Sequence, residues 1–206
     1  GLGLPEKNYY VGERAKQEIL DAYVKHVAKM LELSGIEASG AEAAATEILK
    51  LETSLAELAK ERHEMRDATK IYHPKDRAAL DEMTDTIDWS AFLEGMGYPD
   101  MVAFNVATPD FFPALGEILT ATDISIVKAY LRWHVVHGMA NRLSQTVVDE
   151  NFAFYGTTLR GTAEQPERWK RCVRSTGKYL GEEVGQLFVA KHFAGAGIDL
   201  DELALW

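Results

Sequence analysis

The apolar positions of this 206-residue chain recur for most of its length at the spacing of α-helices. The clearest run is Val148, Phe152, Tyr155 and Leu159, at steps of four, three and four, with Val147 and Phe154 on the neighbouring stripe. Such a segment is apolar on two sides and is expected to be deeply packed. A Gly-Thr turn follows, and Pro166 opens a second helix, because the first helical turn has no need of a proline N–H. That helix is predicted to send Trp169, Cys172 and Val173 inward and Arg171, Arg174 and Lys178 outward.

The same pattern predicts a succession of helices from the start of the chain. One over 13–33 carries Leu20, Tyr23, Val24, Val27, Met30 and Leu31 on one face and stops at Gly35. Ser39 and Glu42 have the spacing of a capping box, which predicts a second helix from Gly40 or Ala41. Ala44, Ile48, Leu51, Leu55 and Leu58 extend it, as far as Met65 at most. Pro74 is expected to open a short helix reaching Met83, and Asp88 to cap another bearing Trp89, Phe92 and Leu93 before Gly95 and Gly97. Thr108-Pro109 starts a helix to Thr120, which Pro113 would strain unless it too lies in the first turn. Asp123 caps a long one to Leu143, whose inner face is Ile126, Val127, Tyr130, Leu131, His134 and Met139, with Trp133 beside them. A last helix over 179–192 buries Leu180, Val184, Leu187 and Phe188. Only 101–106 reads as extended, and without a partner run it makes no sheet. The expected fold is all-α, an antiparallel bundle-like domain over 1–194 with at most one short extended segment, then a joint and an acidic-apolar tail over 195–206.

Charge narrows the function. With a net charge of −10 and a pI near 5.1, the chain lacks the dominant basic face of a nucleic-acid binder. No apolar run approaches the roughly 18 residues of a membrane span. Cys172 is the only cysteine, so an internal disulfide is excluded; a lone cysteine of this kind usually packs as a small apolar residue.

Candidate chemistry is sparse. His63-Glu64-Met65-Arg66-Asp67 is the nearest approach to an HExxH zinc helix, in which two imidazoles four apart share one metal. Here Asp67 stands at the second position, Arg66 places a cation beside it, and no third ligand is apparent. His134 and His137 lie three apart on one helix, but no carboxylate or cysteine stands at ligand spacing there, so both read as packed histidines. Gly1-Leu2-Gly3 lacks the preceding strand and third glycine of a dinucleotide fingerprint. Arg168, Lys170, Arg171, Arg174 and Lys178 form the one basic group in an acidic chain; Glu164 with Arg168 and Glu167 with Arg171 have favourable i,i+4 order. An ordinary solvated face is one reading of that group, and contact with a peptide chamber or another domain the other.

Several stretches also resemble a known family. FAFYG (152–156), Gly161-Thr162, PERWKRCV (166–173), KAYLRWH (128–134), TPDFFPAL (108–115), KLETSLAE (50–57), YVKHVAKMLELSG (23–35) and GLGLPEKNYY (1–10) follow in the order of the non-catalytic helical region of the neprilysin and endothelin-converting-enzyme zinc metallopeptidases. Arg66-Asp67-Ala68-Thr69-Lys70-Ile71-Tyr72-His73 is similar to the family's RDPxKxYN, with Ala68 for proline and His73 for asparagine. Animal members commonly carry a second cysteine just before the RW pair; Glu164 and Gln165 stand there, which implies a bacterial-type member. Asn151-Phe152-Ala153-Phe154-Tyr155 is similar to the family's substrate-binding strand, but its helical context leaves Asn151 and Ala153 without that role.

The resemblance implies a lid domain that covers a catalytic zinc domain of the same parent, admits short peptides and excludes folded proteins. Zinc would belong to that other domain, whose HExxH this chain lacks, and the chain is expected to be inactive alone. No catalytic or metal-binding residue is assigned; Arg168, Arg171, Arg174 and Lys178 are the candidate chamber or interdomain contacts. The parent is expected outside the cytoplasm. The alternatives are a free-standing helical binding or regulatory protein derived from the family, and a helical enzyme of another kind using His63, His134 or Cys172.

Overall fold

The computed structural model of the chain describes residues 1–12, 15–61 and 63–193. They group into two compact units, Gly1–Gly161 and the part from Thr162 onward. The predicted joint and tail over 195–206 lie outside the described residues.

The first unit opens with α1 (Asn8–Val11), α2 (Gln17–Leu33) and α3 (Ala38–Leu58). Lys16 is extended, so α2 begins at Gln17 rather than at Glu13. It ends where expected: Gly35 takes a φ of 97°, its N–H donates to Glu32 O and that of Ile36 to Leu31 O, 2.9 and 3.2 Å, the paired bonds of a Schellman stop. The expected capping box does not form. α3 starts earlier, after an extended Glu37 that makes no side-chain cap, so Ser39 and Glu42 already lie within the helix. It stops at Leu58, short of Met65, and Lys7 Nζ donates to the freed carbonyls of Glu57 and Ala59, 3.4 and 2.9 Å.

The middle of the unit is a series of short pieces. After a 3₁₀ turn at Glu64–Arg66 come α4 (Ala68–Ile71), β1 (Pro74–Asp76), α5 (Arg77–Asp81), α6 (Trp89–Gly95) and β2 (Ala103–Asn105). The helix expected from Pro74 is corrected: Pro74–Asp76 is a strand, and it is the partner that the extended 101–106 stretch was expected to lack. The two run antiparallel, with Pro74 opposite Asn105, Lys75 opposite Phe104 and Asp76 opposite Ala103. The real helix signal was two residues further on, where the Asp76 side chain accepts the Ala79 N–H at 2.8 Å. Asp88 caps α6 in the same way through Ala91 N–H, 2.9 Å. Leu80, Trp89 and Val106 form a small core here, with Phe104 and Phe112 against it.

Next come α7 (Phe111–Ala121), α8 (Ile124–Met139) and α9 (Gln145–Phe152), which runs into a π-helical turn at Ala153–Thr158. Asp123 caps α8 as expected, accepting Ser125 N–H at 2.7 Å. The inward face of α8 matches the expected one only in part: Tyr130 packs on the core and His134 reaches inward to Glu52. Ala129, Trp133, Val136 and Ala140 face the core, while Leu131 and Met139 are exposed. The π turn inserts one residue into the helical register. Phe154 and Tyr155 are therefore both buried, while Phe152 is only half-buried.

The main core joins Tyr23, Val27, Met30 and Leu31 of α2 to Ala41, Ala45 and Ile48 of α3, to Trp133 of α8 and to Val147, Phe154 and Tyr155. Small residues at 41 and 45 let α2 lie close along α3. Burying side chains of this size contributes on the order of 1.5–3 kcal/mol each.

The second unit holds α10 (Arg168–Tyr179) and α11 (Gly181–His192). None of their described residues is buried. The inward placement expected for Trp169, Cys172 and Val173, and for Leu180, Val184, Leu187 and Phe188, is corrected: all seven are exposed. The pattern was read rightly as amphipathic, and among the described residues that face is exposed.

Candidate functional site

The densest polar chemistry of the first unit is inside it. Glu52 of α3 stands in phase with Ala41, Ala45 and Ile48, so the helix delivers a carboxylate to the core with 0% exposure. A buried carboxylate needs donors to replace water, and four converge on it. Tyr10 and Tyr23 hydroxyls donate to Oε2 at 2.7 and 2.6 Å. Gly3 N–H and His134 Nε2 approach Oε1, both at 3.2 Å. An ionised carboxylate only accepts, so His134 carries its hydrogen on Nε2. Tyr23 accepts in turn from Trp133 Nε1 at 3.1 Å, which extends the network to α8.

This hub fastens the N-terminal segment. Leu4 N–H donates to the Tyr10 hydroxyl at 2.8 Å, the Tyr155 hydroxyl to Gly3 O at 2.8 Å, and the Tyr130 hydroxyl to Gly1 O. Gly3 is required by contact: a Cβ there would lie 1.8 Å from the Tyr23 oxygen. Burial, and after it the Glu52 charge, push the hydroxyls of Tyr10 and Tyr23 far above the usual phenol range and that of Tyr155 likewise; the Tyr130 hydroxyl is pushed up to about 12. All four tyrosines are thus held as neutral donors. With every lone-pair direction occupied and no exposure, Glu52 acts as a clasp and not as an acid or base toward a substrate.

Beside the hub, His26 Nδ1 lies 2.8 Å from Glu150 Oε1, and His137 Nδ1 3.2 Å from Asn151 Oδ1. His134 and His137 thus each have a protein partner, Glu52 and Asn151. The His63–Asp67 stretch is likewise committed elsewhere. Glu64 accepts the Glu61 N–H at 3.0 Å, and Asp67 accepts Thr69 N–H and Oγ1 at 3.0 and 2.6 Å, capping α4. Among the described residues no three His, Cys, Asp or Glu side chains are grouped to hold a metal ion.

The basic group lies on α10. Arg168, Arg174 and Lys178 are exposed and Arg171 is half-buried, its Nε enclosed without a hydrogen-bond partner. The pairing expected of Glu167 with Arg171 gives way to Lys170, 3.0 Å away; Glu167 also accepts Trp169 Nε1 at 3.1 Å. Cys172 is exposed.

The sequence reading missed Gly3, Tyr10, His26 and Glu52 as polar core. The signal for Glu52 was legible: it is a carboxylate in an otherwise apolar stripe of spacing four, three and four.

A family model described as peptidase family M13, its N-terminal region, matches residues 1–203. Endothelin-converting enzyme 1 of Cavia porcellus is 28% identical over 201 residues, which cover 94% of this chain and 26% of that protein; the Homo sapiens enzyme is 28% identical over 204 residues with the same shares. The chain therefore spans about a quarter of the length of these relatives. The Mycobacterium tuberculosis zinc metalloprotease Zmp1 in its open state superposes with a TM-score of 0.87 at 33% identity, over 94% of this chain and 30% of that one. PepO from Lactobacillus rhamnosis shares the fold, with a TM-score of 0.73 at 19% identity over 99% of this chain and 32% of that one. The ordered blocks, the helical architecture and these matches together show that the chain belongs to peptidase family M13, the neprilysin and endothelin-converting-enzyme family of zinc metallopeptidases.

Proposed function

We propose that this chain contributes part of the helical wall of an M13 zinc endopeptidase, enclosing a peptide chamber and restricting it to short peptides. Zinc and the bond-breaking groups belong to the catalytic domain of the same parent, and the wall acts by steric selection and water exclusion. The observation that carries this reading is a family match over residues 1–203 combined with apolar helical faces that are exposed among the described residues. On α8 these are Ile124, Leu131 and Val135; on α10 and α11, Trp169, Val173, Leu187 and Phe188. Apolar rows of this extent are surfaces for packing against more protein. In this reading Arg168, Arg171, Arg174 and Lys178 face carboxylates of the chamber or of the neighbouring domain, and the parent works outside the cytoplasm.

The test is a graft of residues 1–193 in place of the corresponding segment of the M. tuberculosis peptidase. The chimera is expected to cleave a short peptide in a zinc-dependent manner and to spare a folded protein containing the same sequence. Cleavage of both at similar rates would overturn the selective role. Zinc-dependent hydrolysis by the purified 206-residue chain would overturn the division of labour.

A further inference from the structure

Three of the six histidines, His26 from α2 and His134 and His137 from α8, gather around the buried indole of Trp133. Their ring centroids lie 5.5, 6.3 and 5.1 Å from it. Their partners differ in kind. His26 faces the Glu150 carboxylate at 2.8 Å and His134 the Glu52 carboxylate at 3.2 Å. His137 has a neutral amide, Asn151 Oδ1 at 3.2 Å, and its ring lies against Trp133 and the phenol of Tyr155, whose centroid is 4.6 Å away.

We propose that this cluster makes the joint of α8 and α9 on α2 acid-sensitive, and that His137 is the ring whose protonation works against the folded packing. An amide oxygen only accepts, so neutral His137 keeps its hydrogen on Nδ1 and would take a second proton on Nε2. Every neighbouring element presents a group to that charge. α2 brings His26, α3 Glu52, α8 His134, α9 Asn151 and Glu150, and the π turn Tyr155. Glu150 and Glu52 already face the other two imidazoles, so His137 is the ring without a carboxylate of its own. Burial opposes it most strongly, and the imidazoles of His26 and His134 add to that opposition; the Asn151 bond and Glu52 act the other way.

The net direction is a value held below the ordinary histidine value of 6.5. The unfolded chain then takes up the proton before the folded chain does. Stability is undiminished above 6.5 and falls as the pH drops from there toward the folded-state value. The Nδ1–H bond to Asn151 survives protonation, so the cost falls on the second nitrogen, Nε2, whose charge must be held among the packed rings of α2, α8 and the π turn.

The test uses the full 206-residue chain and the variant His137→Phe, which keeps an aromatic ring between Trp133 and Tyr155 and cannot titrate. Urea unfolding is followed from about pH 7.5 to about pH 5. The wild-type unfolding constant is expected to rise more steeply than that of the variant, by up to about tenfold per pH unit for one linked proton. An NMR titration of the wild-type His137 ring is expected to show a midpoint below 6.5, and it decides the matter by itself if the variant does not fold. Parallel unfolding curves, or a His137 midpoint at or above 6.5, would overturn the proposal.

Discussion

The two units of this chain are written in the same amphipathic pattern and use it differently. From Gly1 to Gly161 the apolar stripes of α2, α3 and α8 close on one another around Trp133, which has 0% exposure. In α10 and α11 the stripe is equally regular, yet Trp169 is 61% and Leu187 72% exposed. The difference teaches that periodicity marks a face that needs cover and is silent on what covers it. A second contrast follows. The first unit buries a carboxylate with four donors, whereas the second carries its charges on the surface, where pairs such as Lys170 with Glu167 contribute only about 0–1 kcal/mol.

The contrast breaks most readily at Glu52. Glu52→Ala strands the donors of Tyr10, Tyr23 and Gly3 in the core, and a loss of about 3–5 kcal/mol is expected in urea unfolding of the chain. A loss under about 1 kcal/mol would mean that the hub is not what holds the first unit. Gly3→Ala should cost about 1–3 kcal/mol, because the added methyl meets the Tyr23 hydroxyl, and hydrogen exchange at Leu4 should quicken with it. At high pH, Tyr130 retains its proton to about 12 in the folded chain and to about 10.0 unfolded. Its contribution is therefore intact below 10 and is lost as the pH rises from 10 toward 12; tyrosinate absorbance should show Tyr10, Tyr23 and Tyr155 titrating only as the unit opens. The smallest effect belongs to the second unit. Leu187→Ala should change the stability of the chain by less than about 0.5 kcal/mol, and a loss above about 2 kcal/mol would show that α11 is packed after all.

What the sequence made legible follows the same division. Local signals with a fixed mechanism read correctly: Gly35 as a left-handed stop, and Asp88 and Asp123 as caps. Signals that depend on distant chain did not. Pro74–Asp76 has no alternation of its own, and pairing with Ala103–Asn105, almost thirty residues on, makes it a strand. The inner face of α8 was misjudged at Leu131 and Met139, which are as apolar as Trp133 but exposed. The π turn was invisible because one inserted residue leaves composition unchanged while moving Phe154 and Tyr155 together into the core. Of the candidate site, the basic residues of α10 were legible as a group. The Glu52 clasp was not singled out, since a glutamate at helical spacing ordinarily reads as solvated.

The most direct measurement is native-state hydrogen exchange on α10 and α11, in the purified chain and in the graft with the remainder of an M13 peptidase. If their apolar faces belong against protein that the chain lacks, amides over 168–192 will exchange with little protection in the chain and become protected in the graft, while those of α2 and α3 are protected in both. Equal and strong protection of 168–192 in the chain alone would contradict that, and with it the reading of this chain as one wall of a larger enclosure.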